Sequence, residues 1–290
     1  MSFKITGLCL LLLSFNSCKP VEEGASSWED LFDKDLSNFE VFIGVPHTSL
    51  DLEGYEKGDG MEGTPIGLSD PLNVFTTGEE NRELILQISG EVYGALTTKK
   101  EYENYRLKAE FKWGTAKFEP RLDKQRDNGI LYHCTGEHGA FWNVWMRSNE
   151  FQVQEKDMGD YYGLAGGVAA IPAIMNSDSF WVYTSGAELI ELGTVMVGKN
   201  RYRGVRNQNF EKSNGEWNTL EIICLGSKSI HIVNGRVVLV SPQSYNLIDG
   251  ELVPNNKGKI QIQSEGAEAY YKNLQIKAID AIPAEYVDQL

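Results

Sequence analysis

The sequence predicts an all-β protein, a β-sandwich or jelly roll, from three observations. Period-two alternation of apolar and polar residues recurs along the chain. No segment between Trp28 and Leu290 keeps a helical apolar period over three turns, and turn residues separate the alternating runs. Leu84 to Ile88 is the first run. Tyr105 to Trp113 alternates cleanly, with Tyr105, Leu107, Ala109, Phe111 and Trp113 on one face. Gly129 to Cys134 is a third. In Phe151 to Gln154, Phe151 and Val153 are expected to point inward and Gln152 and Gln154 outward. Trp217 to Leu225 and Ser229 to Val240 form a strong pair. The second of these folds back at Asn234–Gly235, residues that accept the positive φ needed at both positions of a tight hairpin turn. Gly258 to Gln263 and Ala269 to Ala278 close the series. Pro46 to Phe75 and Gly159 to Ser179 show little pattern and are expected to be long loops.

Composition bounds the partners. The 290 residues carry 27 Lys+Arg against 41 Asp+Glu, a net charge of −14. That balance argues against a nucleic-acid partner, whose backbone is held mainly by Lys and Arg. Hydrophobic residues at 41% and charged ones at 23% are an ordinary globular mixture. Aromatics at 11% suit a β-rich core or a sugar-binding surface.

Residues 1–17 read as an export signal: Lys4, then an apolar stretch from Ile5 to Leu13 that is too short to span a bilayer. Ser17 before Cys18 resembles the lipobox of bacterial lipoproteins, so Cys18 is the expected lipidation site. The expected membrane contact is through that anchor only. Residues 18–27 lack an apolar pattern and read as a tether, and residues 28–290 as one domain. The acidic residues after Cys18 resemble surface-export signals of Bacteroidetes lipoproteins. They imply an outer-membrane lipoprotein facing the periplasm or the cell surface. Only Cys134 and Cys224 remain in the body of the chain, either as one disulfide or as two buried thiols.

Several segments together resemble one family, the 3-keto-disaccharide hydrolase domain. Trp28 to Phe39 resembles its W-x-x-L-F-[DN]-G-x-[DN]-L-x-x-[WF] start, with Lys34 in place of the usual Gly. Leu96 to Tyr105, Asp127 to His133 and Glu150 to Gln154 are similar to three of its internal strands. Gly215–Glu216–Trp217–Asn218, Val233–Asn234–Gly235, Gly258 to Gln263 and Tyr271 to Ile276 follow in the family's order. The resemblance implies a concanavalin A-like jelly roll acting on oxidised glycosides, with an oligosaccharide or glycoside as partner.

The run Glu150–Phe151–Gln152–Val153–Gln154–Glu155 carries the candidate chemistry. Alternation places Glu150, Gln152 and Gln154 on one face, where they can line a sugar groove. Laminarinase-like glycosidases of the same fold carry E-x-D-x-E or E-x-D-x-x-E, with one carboxylate as nucleophile and another as acid. Here Gln152 stands where the central Asp would, and Glu155 can take the last place only if the strand bulges. An amide does not transfer protons usefully near neutral pH.

A 3-keto sugar opens another route, because its carbonyl acidifies the hydrogen on C2 and the oxygen on C1 lies β to that carbonyl. Such a site needs a base, an acid and a group that holds the C3 oxygen. Glu150 is the leading base, and His133 can serve as acid or base. Arg147, Lys99 or Lys100 can hold the enolate oxygen. Asn128 lies in the matching strand segment, Asp157 is a second-rank acid or substrate contact, and Trp145 or Trp142 can stack on a sugar. Trp181 and Tyr183 are weaker stacking candidates.

No cofactor is expected. A divalent metal on Asp127, His133, Glu137 and His138 is a minor alternative, since their spacing fits no standard ligand pattern. Gly163 to Gly167 lacks the G-x-G-x-x-G order, and no P-loop or nucleophile elbow is present. Two rivals stand beside keto-glycoside cleavage: a conventional glycosidase using Glu150 and Glu155, and a non-catalytic carbohydrate-binding module.

Overall fold

The computed structural model describes residues 27–196 and 200–289; the export signal and Cys18 lie outside them. In chain order the strands are β1 (Glu29–Asp30), β2 (Phe39–Ile43), β3 (Phe75–Glu80), β4 (Glu83–Ile88), β5 (Gly94–Thr98), β6 (Tyr105–Lys117) and β7 (Gly129–Thr135). The middle of the chain holds β8 (Arg147–Gln152), β9 (Tyr161–Leu164), β10 (Gly167–Met175), β11 (Trp181–Tyr183), β12 (Leu189–Leu192) and β13 (Arg203–Val205). It closes with β14 (Asn218–Leu225), β15 (Lys228–Val233), β16 (Arg236–Ser241), β17 (Gln243–Ile248), β18 (Glu251–Pro254), β19 (Lys259–Ser264), β20 (Ala267–Ala278) and a short helix, Ala284–Val287.

Two sheets form a jelly-roll sandwich. An 8-stranded sheet runs β16-β15-β14-β6-β20-β4-β3, with β1 beside β20. A 12-stranded sheet runs β18-β17-β10-β11-β13-β9-β8-β7-β19-β5-β2, with β12 beside β10. The alternating residues of β6 meet those of the opposite sheet: Leu107 and Phe111 share one core with Leu96, Ile130, Phe151, Ile260 and Ile262. Burial of this apolar surface is the main stabilising term. Asn234 and Gly235 hold φ of 50° and 75° at the β15–β16 turn, as the hairpin signal predicts.

Two elements depart from the sequence reading. Gly159 to Ser179 is not a loop: it contains β9 and most of β10 is buried. Val168 to Ile171 is a continuous apolar run, buried on both faces, so it shows no period of two. Ala165 and Gly166, at φ 50° and 106°, form the tight turn between them. Cys134 and Cys224 are both free and buried, so no disulfide joins them. The long segment before Phe75 does lack strands from Gly44 to Val74, apart from isolated bridges.

Candidate active site

Three adjacent strands of the larger sheet build the floor of the site. β7 lies between β8 and β19, with Leu131 paired to both Glu150 and Gln261. Alternation divides each strand. Phe151, Ile260 and Ile262 enter the core between the sheets, which sends Glu150, Gln152, Gln261 and Gln263 to the outer face. A cavity of about 240 Å³ opens there. Arg121, Asp127, Glu150, Gln152, Gln154, Gln263 and Glu265 form its polar lining, and Phe141, Trp142, Trp145, Tyr162 and Tyr202 its aromatic lining.

A glycine sets how closely the floor residues pack. A Cβ on Gly129 would stand 2.4 Å from both Glu150 Oε1 and Gln263 Oε1. The bare backbone lets these two side chains meet over β7. Gln263 also hydrogen-bonds Glu150, while Gln263 Oε1 is a buried acceptor with no partner. Gln152 Oε1 is taken up locally, accepting from Val153 N at 2.8 Å and Gln154 N at 3.1 Å.

The electrostatics centre on one arginine. Arg121 Nη2 contacts both Asp127 Oδ2 and Glu265 Oε1, whose side chains are 1% and 4% exposed. Gln154 Nε2 donates to Asp127 Oδ2 at 2.6 Å, and Asn128 N donates to Asp127 Oδ1 at 3.0 Å. Burial raises the Asp127 pKa well above the carboxylate range, the Glu265 charge adds to it, and Arg121 opposes it. Burial likewise raises Glu265, against Arg121. Glu150 is raised well above its ordinary value, first by burial, then by Glu265 and Asp127; Arg121 and Gln263 pull it down. One arginine stands among three buried carboxyls in the cavity lining, so their negative forms compete for a single cation.

The two tryptophans divide their work. Trp145 is 1% exposed, and its Nε1 donates to Gly94 O at 3.2 Å. Trp142 is 41% exposed and stacks on Phe141 with ring centroids 4.8 Å apart. Trp142 is therefore the aromatic surface open to a ligand, and Trp145 its buried support.

Several sequence candidates lie elsewhere. His133 sits at a register shift in β7 with φ 51°, which turns its ring between the sheets, edge-on to Tyr105 and Tyr132. Both its ring nitrogens are buried without a partner, and burial drives its pKa down to about 4. It does not line the cavity. Glu155 is also outside: β8 ends at Gln152, no bulge carries residue 155 inward, and its carboxylate pairs with Arg126 at 3.3 Å and Asn214 at 2.8 Å. Asn128 faces the core, accepting from Tyr271 Oη at 2.6 Å and donating to Gln263 O at 2.6 Å. Arg147 Nε donates to Ala165 O at 2.9 Å, and Lys99 Nζ donates to Ser37 O at 2.9 Å. Lys100 lies over the Tyr102 ring, away from the cavity lining.

Asp157 pairs with Arg203 and Arg206, both at 3.4 Å, and is not part of the cavity lining. Tyr183 is buried in a second apolar cluster, and Trp181, partly buried, packs against it; neither lines the cavity. The four residues of the metal alternative do not converge. His133 is in the interior, Asp127 in the cavity, and His138 pairs with Glu40 at 3.2 Å. Among the described residues, no group of three His, Cys, Asp or Glu is arranged to hold a metal ion. Glu150, Gln152, Gln154 and Trp145 do line the cavity together.

The family model for the 3-keto-alpha-glucoside-1,2-lyase-like domain matches residues 27–277. The chain belongs to this family. No curated protein matches it. Solved structures are similar to it at low identity. A candidate glycosyl hydrolase from Parabacteroides distasonis ATCC 8503 is 18% identical over 87% of this chain and 100% of its own, with a TM-score of 0.46. A carbohydrate-binding module from Bacillus subtilis is 9% identical over 70% and 92%, with a TM-score of 0.38. A Bacillus licheniformis beta-glucanase is 12% identical over 89% and 100%, with a TM-score of 0.42.

Sequence reasoning on this 3-keto-alpha-glucoside-1,2-lyase-like domain missed Arg121, Glu265, Gln263 and Tyr162, and weighed Asp127 only as a metal ligand. A signal for two of them was present. Gln261, Gln263 and Glu265 follow each other at two-residue steps, the period of one strand face. Arg121 lies in the irregular segment between β6 and β7, where no periodicity announces a side chain's direction.

Proposed function

We propose that the protein cleaves 3-keto glycosides by elimination across C1 and C2 followed by hydration, with Glu150 as the base. The observation that carries this reading is the position of Glu150: buried, at the floor of an aromatic-walled cavity, beside a single arginine. The family match supports the substrate class.

A ketone at C3 makes the C2 hydrogen acidic enough for a carboxylate to remove. Burial strengthens Glu150 as a base, because the environment that raises its pKa also raises the proton affinity of its carboxylate. The electrons of the C2–H bond pass to the C3 oxygen, and Arg121 is the cation available in the cavity to stabilise that developing charge. The enolate then expels the C1 oxygen, and water adds to the resulting enone. Trp142 offers an open ring face for the sugar's C–H surface. The conventional retaining route that used Glu155 loses its second carboxylate, since Glu155 lies outside the cavity.

The experiment is incubation with 3-keto-trehalose or a 3-keto-glucoside beside the unoxidised parent. Release from the keto form alone is expected. Release from the parent would support a conventional glycosidase instead, and binding without release a carbohydrate-binding module. We also propose that Cys18 anchors the chain to a membrane by lipid; a Cys18→Ala variant then loses labelling by a clickable fatty acid.

A further inference from the structure

Elimination needs a proton for the departing oxygen, and Glu150 cannot supply it while acting as base. We propose that Asp127 and Glu265 act as one proton-sharing pair that protonates the leaving oxygen. This rests on the elimination reading above.

The geometry is specific. The two residues form an isolated bridge between the segments flanking β7 and β19, so their side chains leave the backbone side by side. Both carboxyls touch the same nitrogen, Arg121 Nη2, which brings their oxygens close to each other. Both are almost wholly buried, and both line the cavity with Glu150. Two carboxylates held that close and that deeply buried oppose each other's ionisation, and sharing one proton relieves the repulsion. The charged and titratable groups around the pair are Arg121, Glu150, the Tyr93 hydroxyl and, acting on Glu265, Lys124. Arg121 offsets a single negative charge, which leaves the pair as a monoanion and ready to donate.

The proton balance closes over a cycle. Glu150 takes the C2 proton, the C1–O bond breaks, and the pair gives its proton to the leaving oxygen, yielding an enone and an alcohol. The pair, now doubly negative against Arg121, removes a proton from water as its oxygen bonds to C1. Glu150, its carboxyl proton exchanged with the entering water, protonates C2. The net change is hydrolysis, with water as the only co-reactant.

The test compares methyl and p-nitrophenyl 3-keto-glucosides in wild type, Glu265→Gln and Asp127→Asn. A p-nitrophenolate leaves without protonation, whereas a methoxide does not. The expected loss is about 100-fold or more on the methyl substrate and under about 10-fold on the p-nitrophenyl one. Wild type alone gives a second reading: its rate on the methyl substrate falls at high pH as the pair loses its proton, and its rate on the p-nitrophenyl substrate does not. Equal losses on both substrates in folded variants, or the same alkaline fall on both in wild type, would overturn the pair's role. A wild type inert on both substrates would instead overturn the elimination reading, and the inference with it.

Discussion

A Cβ added to Gly129 would come within 2.4 Å of Glu150 Oε1. The obstructed atom is the end of a flexible side chain, not backbone, so the fold can absorb the change while the carboxyl cannot stay in place. Gly129→Ala is therefore expected to fold with nearly the wild-type melting temperature. Its turnover of a 3-keto-glucoside should fall by roughly 10- to 100-fold, the scale of an ångström-sized misplacement. Full activity in a folded variant would show that the position of Glu150 is not critical.

Glu150→Gln keeps the shape and removes the base. The expected result is a loss of about 100- to 10,000-fold in kcat, with substrate binding retained. In wild type the acid limb of the rate profile lies above the ordinary carboxylate range, because burial raises the Glu150 pKa and activity appears as the proton leaves. A limb near pH 4 would contradict that assignment.

Glu155→Gln separates the elimination route from the conventional one. Glu155 is held by Arg126 and Asn214 outside the cavity, and those contacts keep its pKa low despite its partial burial. Turnover should stay within about two-fold of wild type, since the loss of one such ion pair costs about 1 kcal/mol of stability or less. A 100-fold loss in kcat measured on folded enzyme would return Glu155 to the catalytic group.

The two tryptophans should respond differently. Trp142→Ala removes an exposed stacking face and is expected to raise KM several-fold with little change in melting temperature. Trp145→Ala opens the packing beneath it and is expected to cost about 3–5 kcal/mol, read by urea denaturation. Equal effects on KM and stability in both variants would contradict this division.

Acid should weaken the fold through two buried imidazoles. Burial holds His133 and His231 at about 4, against 6.5 for an exposed ring. His231 is neutral with both nitrogens bonded, to Gly159 O at 3.0 Å and Tyr132 Oη at 3.0 Å. Between about pH 6.5 and pH 4 the unfolded chain binds protons that the folded chain does not. Each histidine's contribution is whole above that window and is lost as pH falls through it. His133→Asn, which tolerates the positive φ, should flatten the stability curve near pH 5 by up to about 1.4 kcal/mol per pH unit. Urea curves at several pH values test this, and parallel wild-type and variant slopes would contradict it.

The strands and one face of the site were legible because they rest on a local period. Glu150, Gln152 and Gln154 could be placed together from alternation alone, and so could the core side of β6. His133 was misread for a physical reason: the irregularity in β7 that reverses its direction depends on pairing with β8, which no local pattern records. β10 was missed because a strand buried on both faces loses its alternation. Arg121 reaches the site from an irregular segment, and its meeting with Asp127 and Glu265 joins three stretches far apart in sequence. Gln263 and Glu265 were readable in principle, as the continuation of one strand face.

The most direct test of Glu150 as a base at C2 is the fate of that carbon's hydrogen. Turnover of a 3-keto-glucoside in heavy water, followed by immediate mass spectrometry of the released sugar against an enzyme-free control, reads it. One solvent deuteron at C2 in each product molecule, and no product from Glu150→Gln, is the predicted result. A released sugar that keeps its original C2 hydrogen through full turnover would contradict the account.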